Sequence, residues 1–151
     1  MADVKFQKEH NERIVQALMA NPDLIDDKRW RMDNLYWLIT KDGTKELFHM
    51  NRAQLHFFLN FLSPDNPLAR YYRHIILKAR QLGFTTLIDI CILDEILFKT
   101  HREGLIIAHT VKDATEIFDR KIDYAITNMC EEIKQGAFKL VRNSAKKIQV
   151  V

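Results

Sequence analysis

Two short, uninterrupted apolar runs constrain the fold of this chain more than any other feature of its sequence. Residues 74–79 read HIILKA and residues 104–108 read GLIIA, and such runs are typical of strands that a parallel sheet buries on both faces. A helix is predicted between them over Thr85–Lys99, and a further helix follows the second run. This order predicts a βαβα unit whose parallel strands are joined by a right-handed crossover. The predicted fold class is α/β, with a parallel sheet and flanking helices.

The first part of the chain predicts a helix and a hairpin ahead of this sheet. Apolar side chains recur at helical spacing within 5–19, which predicts an amphipathic helix. Two β-prone runs, 36–40 and 45–50, lie on either side of an Asp-Gly turn and predict a β-hairpin. Asn51 is a predicted helix cap, and the helix that it starts is predicted to end at Leu62.

The last part of the chain predicts one long helix and a second hairpin. The helix is predicted over about 112–133, and the strand-like runs 138–141 and 147–151 follow it. The predicted domain organisation is an N-terminal helical arm at 1–34 and a main domain at 35–151.

Composition excludes several classes of protein. The 151 residues are 47% hydrophobic and 28% charged, which is the usual mix of a folded domain and argues against a disordered chain. Basic residues number 23 and acidic residues 20, and the resulting net charge of +3 does not by itself argue for nucleic-acid binding. Neither a signal peptide nor a membrane-spanning run is recognisable, so a cytoplasmic protein with no membrane partner is expected.

The cysteine and histidine patterns favour neither a disulfide framework nor a metal centre. Cys91 and Cys130 lie far apart, and neither belongs to a CxxC or Cys/His motif. The six histidines are scattered and form no HExxH motif. Cys91 falls on an apolar helix and is predicted to be a core residue.

The connection between the first apolar run and its helix has the character of a phosphate-binding turn. A strand that passes through a glycine into a helix directs free backbone N–H groups and the positive end of the helix dipole at one place. The P-loop pattern GxxxxGK[ST] adds a lysine for phosphate and a hydroxyl for Mg²⁺. This chain keeps the second glycine as Gly83 and the hydroxyl as Thr85, but it has Lys78 in place of the first glycine and Phe84 in place of the lysine.

A purely structural interpretation of the same turn stays open on pattern alone. A strand–glycine–helix turn is also a common way to end a buried strand, and Thr85 and Thr86 also suit the first turn of an ordinary helix. Lys78 is then a solvated lysine at a strand end, and Gln54 is a surface residue of its helix.

Three stretches of the chain resemble one protein family in the right order and at plausible spacings. The segment ILKARQLGFTTLI at 76–88 resembles the deviant Walker A loop of the large terminase subunits of tailed bacteriophages, the motors that package DNA into procapsids. Residues 29–58 are similar to the segment before the motor core of that family. Residues 104–129 are similar to the strand and helix that follow its loop. The resemblance covers about residues 29–129.

The resemblance implies a nucleotide site and its cofactors. It makes the main domain the amino-terminal part of a P-loop ATPase domain that binds ATP and Mg²⁺. Lys78 and Arg80 are implied to contact the triphosphate, Thr85 to coordinate Mg²⁺, and Gln54 to read adenine. The implied nucleotide-binding set is Gln54, Lys78, Arg80, Gln81, Gly83, Thr85 and Thr86.

The resemblance also implies parts of the motor that have no counterpart in this sequence. In the family a Walker B aspartate and a catalytic glutamate follow, and then a coupling motif and a nuclease domain. No apolar run after Gly104 ends in Asp-Glu, so no catalytic residue is assigned here. We expect an amino-terminal fragment that supplies the ATP-binding loop and does not turn over ATP alone.

The implied partners are those of a packaging motor in the host-cell cytoplasm. They are double-stranded DNA, the small terminase subunit, the portal protein and, in the complete motor, a ring of identical subunits. Two alternatives stay open. In the first, the chain is a stand-alone interaction module whose helix at 5–19 docks the small terminase subunit or the portal. In the second, the chain is part of another P-loop ATPase such as a helicase.

Overall fold

A computed structural model describes residues 2–40, 42–66, 75–77, 81–137, 140–144 and 147–150 of the chain. The helices are α1 (Ala2–Ala20), α2 (Lys28–Asn34), α3 (Arg52–Phe57), α4 (Phe84–Phe98), α5 (Val111–Ile117), α6 (Tyr124–Asn128) and α7 (Glu131–Ala137). The strands are β1 (Trp37–Ile39), β2 (Lys45–Leu47), β3 (Leu140–Ser144) and β4 (Lys147–Val150). A 3₁₀ turn at Pro22–Asp26 lies between α1 and α2.

The first part of the chain folds as predicted. The amphipathic helix, the hairpin and the helix capped by Asn51 all form, and a π-helical turn at Phe58–Leu62 extends α3 to the predicted end. β1 and β2 pair antiparallel with Trp37 opposite Leu47. Gly43 takes a φ of +81° in the connecting turn, a conformation that favours glycine.

The core is built mainly by helices packed on one another and on the first hairpin. Its central helix is α4, which buries side chains on several faces, because α2 and the helical segment Phe118–Asp123 pack against it and its buried residues share one core with Phe48 and Ile126. The α4 residues buried in this core are Phe84, Leu87, Ile90, Cys91, Leu93 and Leu97. Ile14 of α1 lies in the same core. The division into an arm at 1–34 and a domain at 35–151 stays a prediction.

The predicted parallel sheet is wrong. The sheets of the described residues are two antiparallel pairs, β1 with β2 and β3 with β4. Ile75 and Leu77 are fully exposed and belong to no strand, and Leu105 and Ile107 are also exposed. A parallel sheet needs helices free to cover both of its faces. Here α4 already packs against α2 and the helical segment Phe118–Asp123.

The second part of the chain differs from the prediction in one helix and agrees in the last hairpin. The long helix predicted over 112–133 is not one regular helix. A π-helical turn at Phe118–Asp123 lies between α5 and α6, and the chain then leaves the helix before α7 begins. An extra residue in a π turn rotates the face that follows it, and α5 buries no residue whereas α6 buries Ala125 and Ile126. The hairpin of β3 and β4 confirms the predicted one.

Within the described parts of the chain, every helix is too short or too polar to pass through a lipid bilayer.

Candidate functional site

The start of α3 is fixed by a reciprocal pair of side-chain bonds. The Asn51 side chain accepts from the Gln54 backbone N–H at 3.0 Å, and Gln54 Oε1 accepts from the Asn51 backbone N–H at 2.8 Å. This capping box is the local reason that a polar residue at the third helical position becomes buried, and Gln54 is only 4% exposed. The side chain of Gln54 is therefore held in one orientation.

Both capping residues reach across to the turn before α4. Gln54 Nε2 donates to the Gly83 carbonyl at 2.8 Å, and Asn51 Nδ2 donates to the Leu82 carbonyl at 3.2 Å. Two residues that the resemblance assigns to one site, Gln54 and Gly83, are thus in direct contact. The amide of Gln54 joins the two helix starts, and its predicted role in reading adenine stays a prediction.

Gly83 occupies a position that other residues tolerate poorly. Its φ is +70°, and an added Cβ would lie 2.6 Å from Gln54 Nε2. A side chain here would both strain the backbone and displace the amide that contacts it. The glycine is therefore explained by the left-handed turn and by the close approach of Gln54.

The first turn of α4 presents backbone N–H groups without a capping side chain. Gly83 is the helix cap, and its carbonyl begins the helix by accepting from Leu87. Among the residues that the structure describes, no side chain bonds to the N–H groups that follow Gly83. Open N–H groups together with the positive end of a 15-residue helix favour an anionic ligand. The hydroxyl of Thr85 is exposed beside them, and Thr86 is partly buried.

Phe84, the departure from the P-loop pattern, is a packing residue. Its side chain is buried, and its ring meets that of Phe57 edge-to-face with centroids 5.3 Å apart. A lysine in this orientation would place its ammonium group in the contact between α3 and α4, where burial penalises charge. A phosphate at this turn therefore needs its cation from elsewhere in the chain.

The remaining predicted residues divide into described and undescribed ones. Gln81 is exposed and takes a φ of +65°, which few residues other than glycine adopt. Lys78 and Arg80 lie outside the described residues, so their predicted contacts with a triphosphate stay predictions. The described part of the turn offers N–H donors and one exposed hydroxyl.

The described residues do not form a metal centre by themselves. No group of three or more histidine, cysteine, aspartate or glutamate side chains with the geometry to hold an ion occurs among them. A single hydroxyl such as that of Thr85 holds Mg²⁺ only together with further oxygen ligands, as nucleotide phosphates supply. The predicted role of Thr85 as an Mg²⁺ ligand stays a prediction.

Sequence reasoning missed a buried polar cluster that anchors the other end of α4. Arg31 makes two bonds to the Asp94 carboxylate, at 2.8 and 2.7 Å, and the Tyr36 hydroxyl donates to the same carboxylate at 2.6 Å. All three side chains are buried, and Arg31 also lies over the Phe98 ring. The signal in the sequence is the presence of acidic residues, Asp89, Asp94 and Glu95, within a helix that is otherwise mostly apolar.

The cluster has electrostatic consequences that match its burial. Burial and the neighbouring Asp94 raise the pKa of Tyr36 well above its ordinary value. Beside it, Lys28 Nζ lies 2.6 Å from Glu95 Oε1. Burial alone would raise the pKa of Glu95, but hydrogen bonds from Lys28 and Lys99 outweigh it and lower that pKa. The cluster holds α4 against α2.

Comparison of the chain with protein-family models, with curated proteins and with solved structures finds no match in any of the three.

Proposed function

We propose that the chain is the amino-terminal part of a phage terminase large subunit, the ATP-driven motor that moves double-stranded DNA into procapsids. In this proposal the turn before α4 holds the phosphates of ATP and Mg²⁺, and the chain acts in the host-cell cytoplasm. The small terminase subunit, the portal protein and other copies of the subunit are its partners in the motor.

The observation that carries the proposal is the hydrogen bond of 2.8 Å between Gln54 Nε2 and the Gly83 carbonyl. The resemblance assigns these two residues, 29 positions apart, to the same nucleotide. Their contact brings both segments to the open N–H groups of α4. Anion binding at a helix start needs those N–H groups and nearby cations, and it does not need a parallel sheet.

Lys78 and Arg80 supply the cations in this proposal. They precede the turn by a few residues, and each charge-assisted bond to phosphate contributes about 1.5–3 kcal/mol. Phe84 packs against Phe57 and leaves that role to them. The carboxylates that activate water are supplied by other parts of the motor, so this chain binds nucleotide without turning it over.

A titration with a fluorescent ATP analogue and Mg²⁺ tests the proposal. We expect saturable binding that Lys78→Ala or Arg80→Ala weakens about ten- to a hundredfold. Arg102→Ala is the matched control, because it removes an exposed cation beyond the far end of α4 and should leave binding unchanged. Absence of binding at millimolar analogue, or equal loss in the control, would contradict the proposal.

The same titration separates the second candidate, a stand-alone interaction module. The observation that favours the module is the exposure of Phe6 and Met19 on α1, the helix that would dock the small terminase subunit or the portal. If the chain binds no nucleotide but captures the purified small subunit, and if Met19→Lys abolishes that capture, the module is the better description.

A further inference from the structure

The segment 104–108 lies on the surface of α4 and is held there. A Cβ added to Gly104 would come within 2.6 Å of both Ile92 Cγ2 and Ile96 Cδ1, so the backbone at this point touches the helix closely. Ile106, two residues later, is partly buried and packs against the core. The segment is therefore a fixed part of the folded body.

The exposure of this segment alternates as in a strand. Leu105 is 77% exposed and Ile107 is 83% exposed, whereas Ile106 between them faces the core. The segment belongs to no helix and no sheet, and none of the backbone hydrogen bonds of the described residues involves it. A row of open N–H and C=O groups beside apolar side chains is an unpaired strand edge, which readily accepts another strand.

We propose that this edge pairs antiparallel with the same segment of a second copy of the chain, centred on Ile106, to form a two-fold symmetric dimer. In this register Leu105 of one copy lies opposite Ile107 of the other, twice over. Cross-strand pairs of this kind are what stabilises antiparallel ladders. The contact is isologous and closes at two copies.

The charges that flank the segment favour a second copy as the occupant. Centring on Ile106 sets Glu103 opposite His109 of the other copy at both ends, and the run between them carries no charge that would repel itself. His109 Nε2 already lies 3.1 Å from Asp113 Oδ2, so the imidazole gains a second acidic neighbour on pairing. The dimer is independent of nucleotide and goes beyond the proposed function.

Sedimentation equilibrium of the full chain over a range of concentrations tests the dimer. We expect a monomer–dimer equilibrium whose dissociation constant rises about tenfold or more in Ile107→Lys, because the lysine removes both apolar pairs. Met19→Lys is the matched control: Met19 is 79% exposed on α1, and this variant should dimerise like the unchanged chain. Circular dichroism of both variants shows whether the fold is retained.

A charge exchange tests the register. Glu103→Lys should weaken the dimer, since the lysine then faces His109, and adding His109→Glu should restore it. A chain that is monomeric at every concentration would overturn the proposal. A dimer that is insensitive to Ile107→Lys, or one that Met19→Lys weakens equally, would also overturn it. Association with an unrelated strand instead of a second copy would do the same, and so would failure of the double variant to recover the dimer.

Discussion

The two ends of α4 are attached to the rest of the molecule in opposite ways. At the carboxyl end, Asp94 is fully buried and binds Arg31 and Tyr36 through charge-assisted bonds. At the amino end, neutral amide bonds from Gln54 and Asn51 hold the turn, and the backbone N–H groups of the first helical turn are left without a capping side chain.

Because of this difference, the carboxyl end of α4 contributes to stability alone, whereas the amino end also keeps backbone donors available for a ligand. The charged groups of the Asp94 cluster bind one another and are buried, so they are not accessible to a ligand. The amino end uses its side chains to position a backbone whose own donors stay open. Substitutions at the carboxyl end should therefore affect unfolding alone, whereas substitutions at the amino end should affect unfolding and nucleotide binding together.

The largest effect is expected from Asp94→Ala. The substitution leaves the Arg31 guanidinium buried without a counter-ion, and breaking a buried pair in this way costs about 3–5 kcal/mol of unfolding free energy. Urea unfolding followed by circular dichroism measures the loss. Asp33→Ala is the control, because its pair with Arg29 is partly exposed and should contribute less than about 1 kcal/mol. Equal losses in the two variants would mean that the cluster does not anchor α4.

An intermediate effect is expected from Gly83→Ala. The added Cβ is strained by the left-handed φ and collides with the Gln54 amide. We therefore expect a loss of about 2–3 kcal/mol in unfolding free energy and weaker binding of the ATP analogue.

Two other glycines separate the causes of that effect. Gly43 has a φ of +81° but no atom within 4 Å of an added Cβ, so Gly43→Ala should show the backbone strain alone. Gly136 lies in α7 with open space around it, so Gly136→Ala should stabilise by about 0.5–1 kcal/mol. If Gly83→Ala loses no more stability than Gly43→Ala, the contact with Gln54 does not stabilise the turn.

The smallest effect is expected in the pH dependence of stability. The pKa of Glu95 is lowered in the fold, so its contribution is complete above its ordinary value of 4.5 and is lost as the pH falls through the lowered pKa. Glu95→Gln should therefore reduce the stability lost between neutral and acidic pH, as measured by thermal unfolding across that range.

Asp89 provides the control of opposite sign. Burial raises the pKa of Asp89, an effect that Lys121 partly offsets, so its contribution is favourable at low pH and is lost as the pH rises through the raised pKa. Asp89→Asn should make the loss on acidification larger. If both variants shift the acid limb in the same direction, the assigned pKa directions are wrong.

Local structure could be predicted from the sequence, and the pairing of distant segments could not. The hairpin around Gly43 and the cap at Asn51 depend on a few neighbouring residues, and both were predicted correctly. The runs 74–79 and 104–108 were predicted to be buried strands, because an apolar run of that length has no signature that tells a buried strand from an exposed segment. Burial depends on which surfaces remain uncovered, and the neighbours of α4 decide that.

The candidate site was predictable to a similar degree. The sequence pattern predicts Gly83 at a helix start, and only the family resemblance groups it with Gln54; the two residues are in contact. The bond that joins them runs from a side chain to a backbone carbonyl, which pattern matching does not detect. The partners of Asp94 lie 58 and 63 residues away, so local patterns cannot identify them.

Because Cys91 is buried in the middle of α4, the reactivity of its thiol measures how often this helix opens. Its pKa is raised to about 12 by burial, so almost none of it is the thiolate that reacts with alkylating reagents. Modification must wait until the core around α4 opens and exposes the sulfur. The alkylation rate of Cys91, measured in a chain in which the second buried thiol, Cys130, is replaced by alanine, therefore reports how often α4 detaches. A ligand that binds at the amino end of α4 should lower that rate.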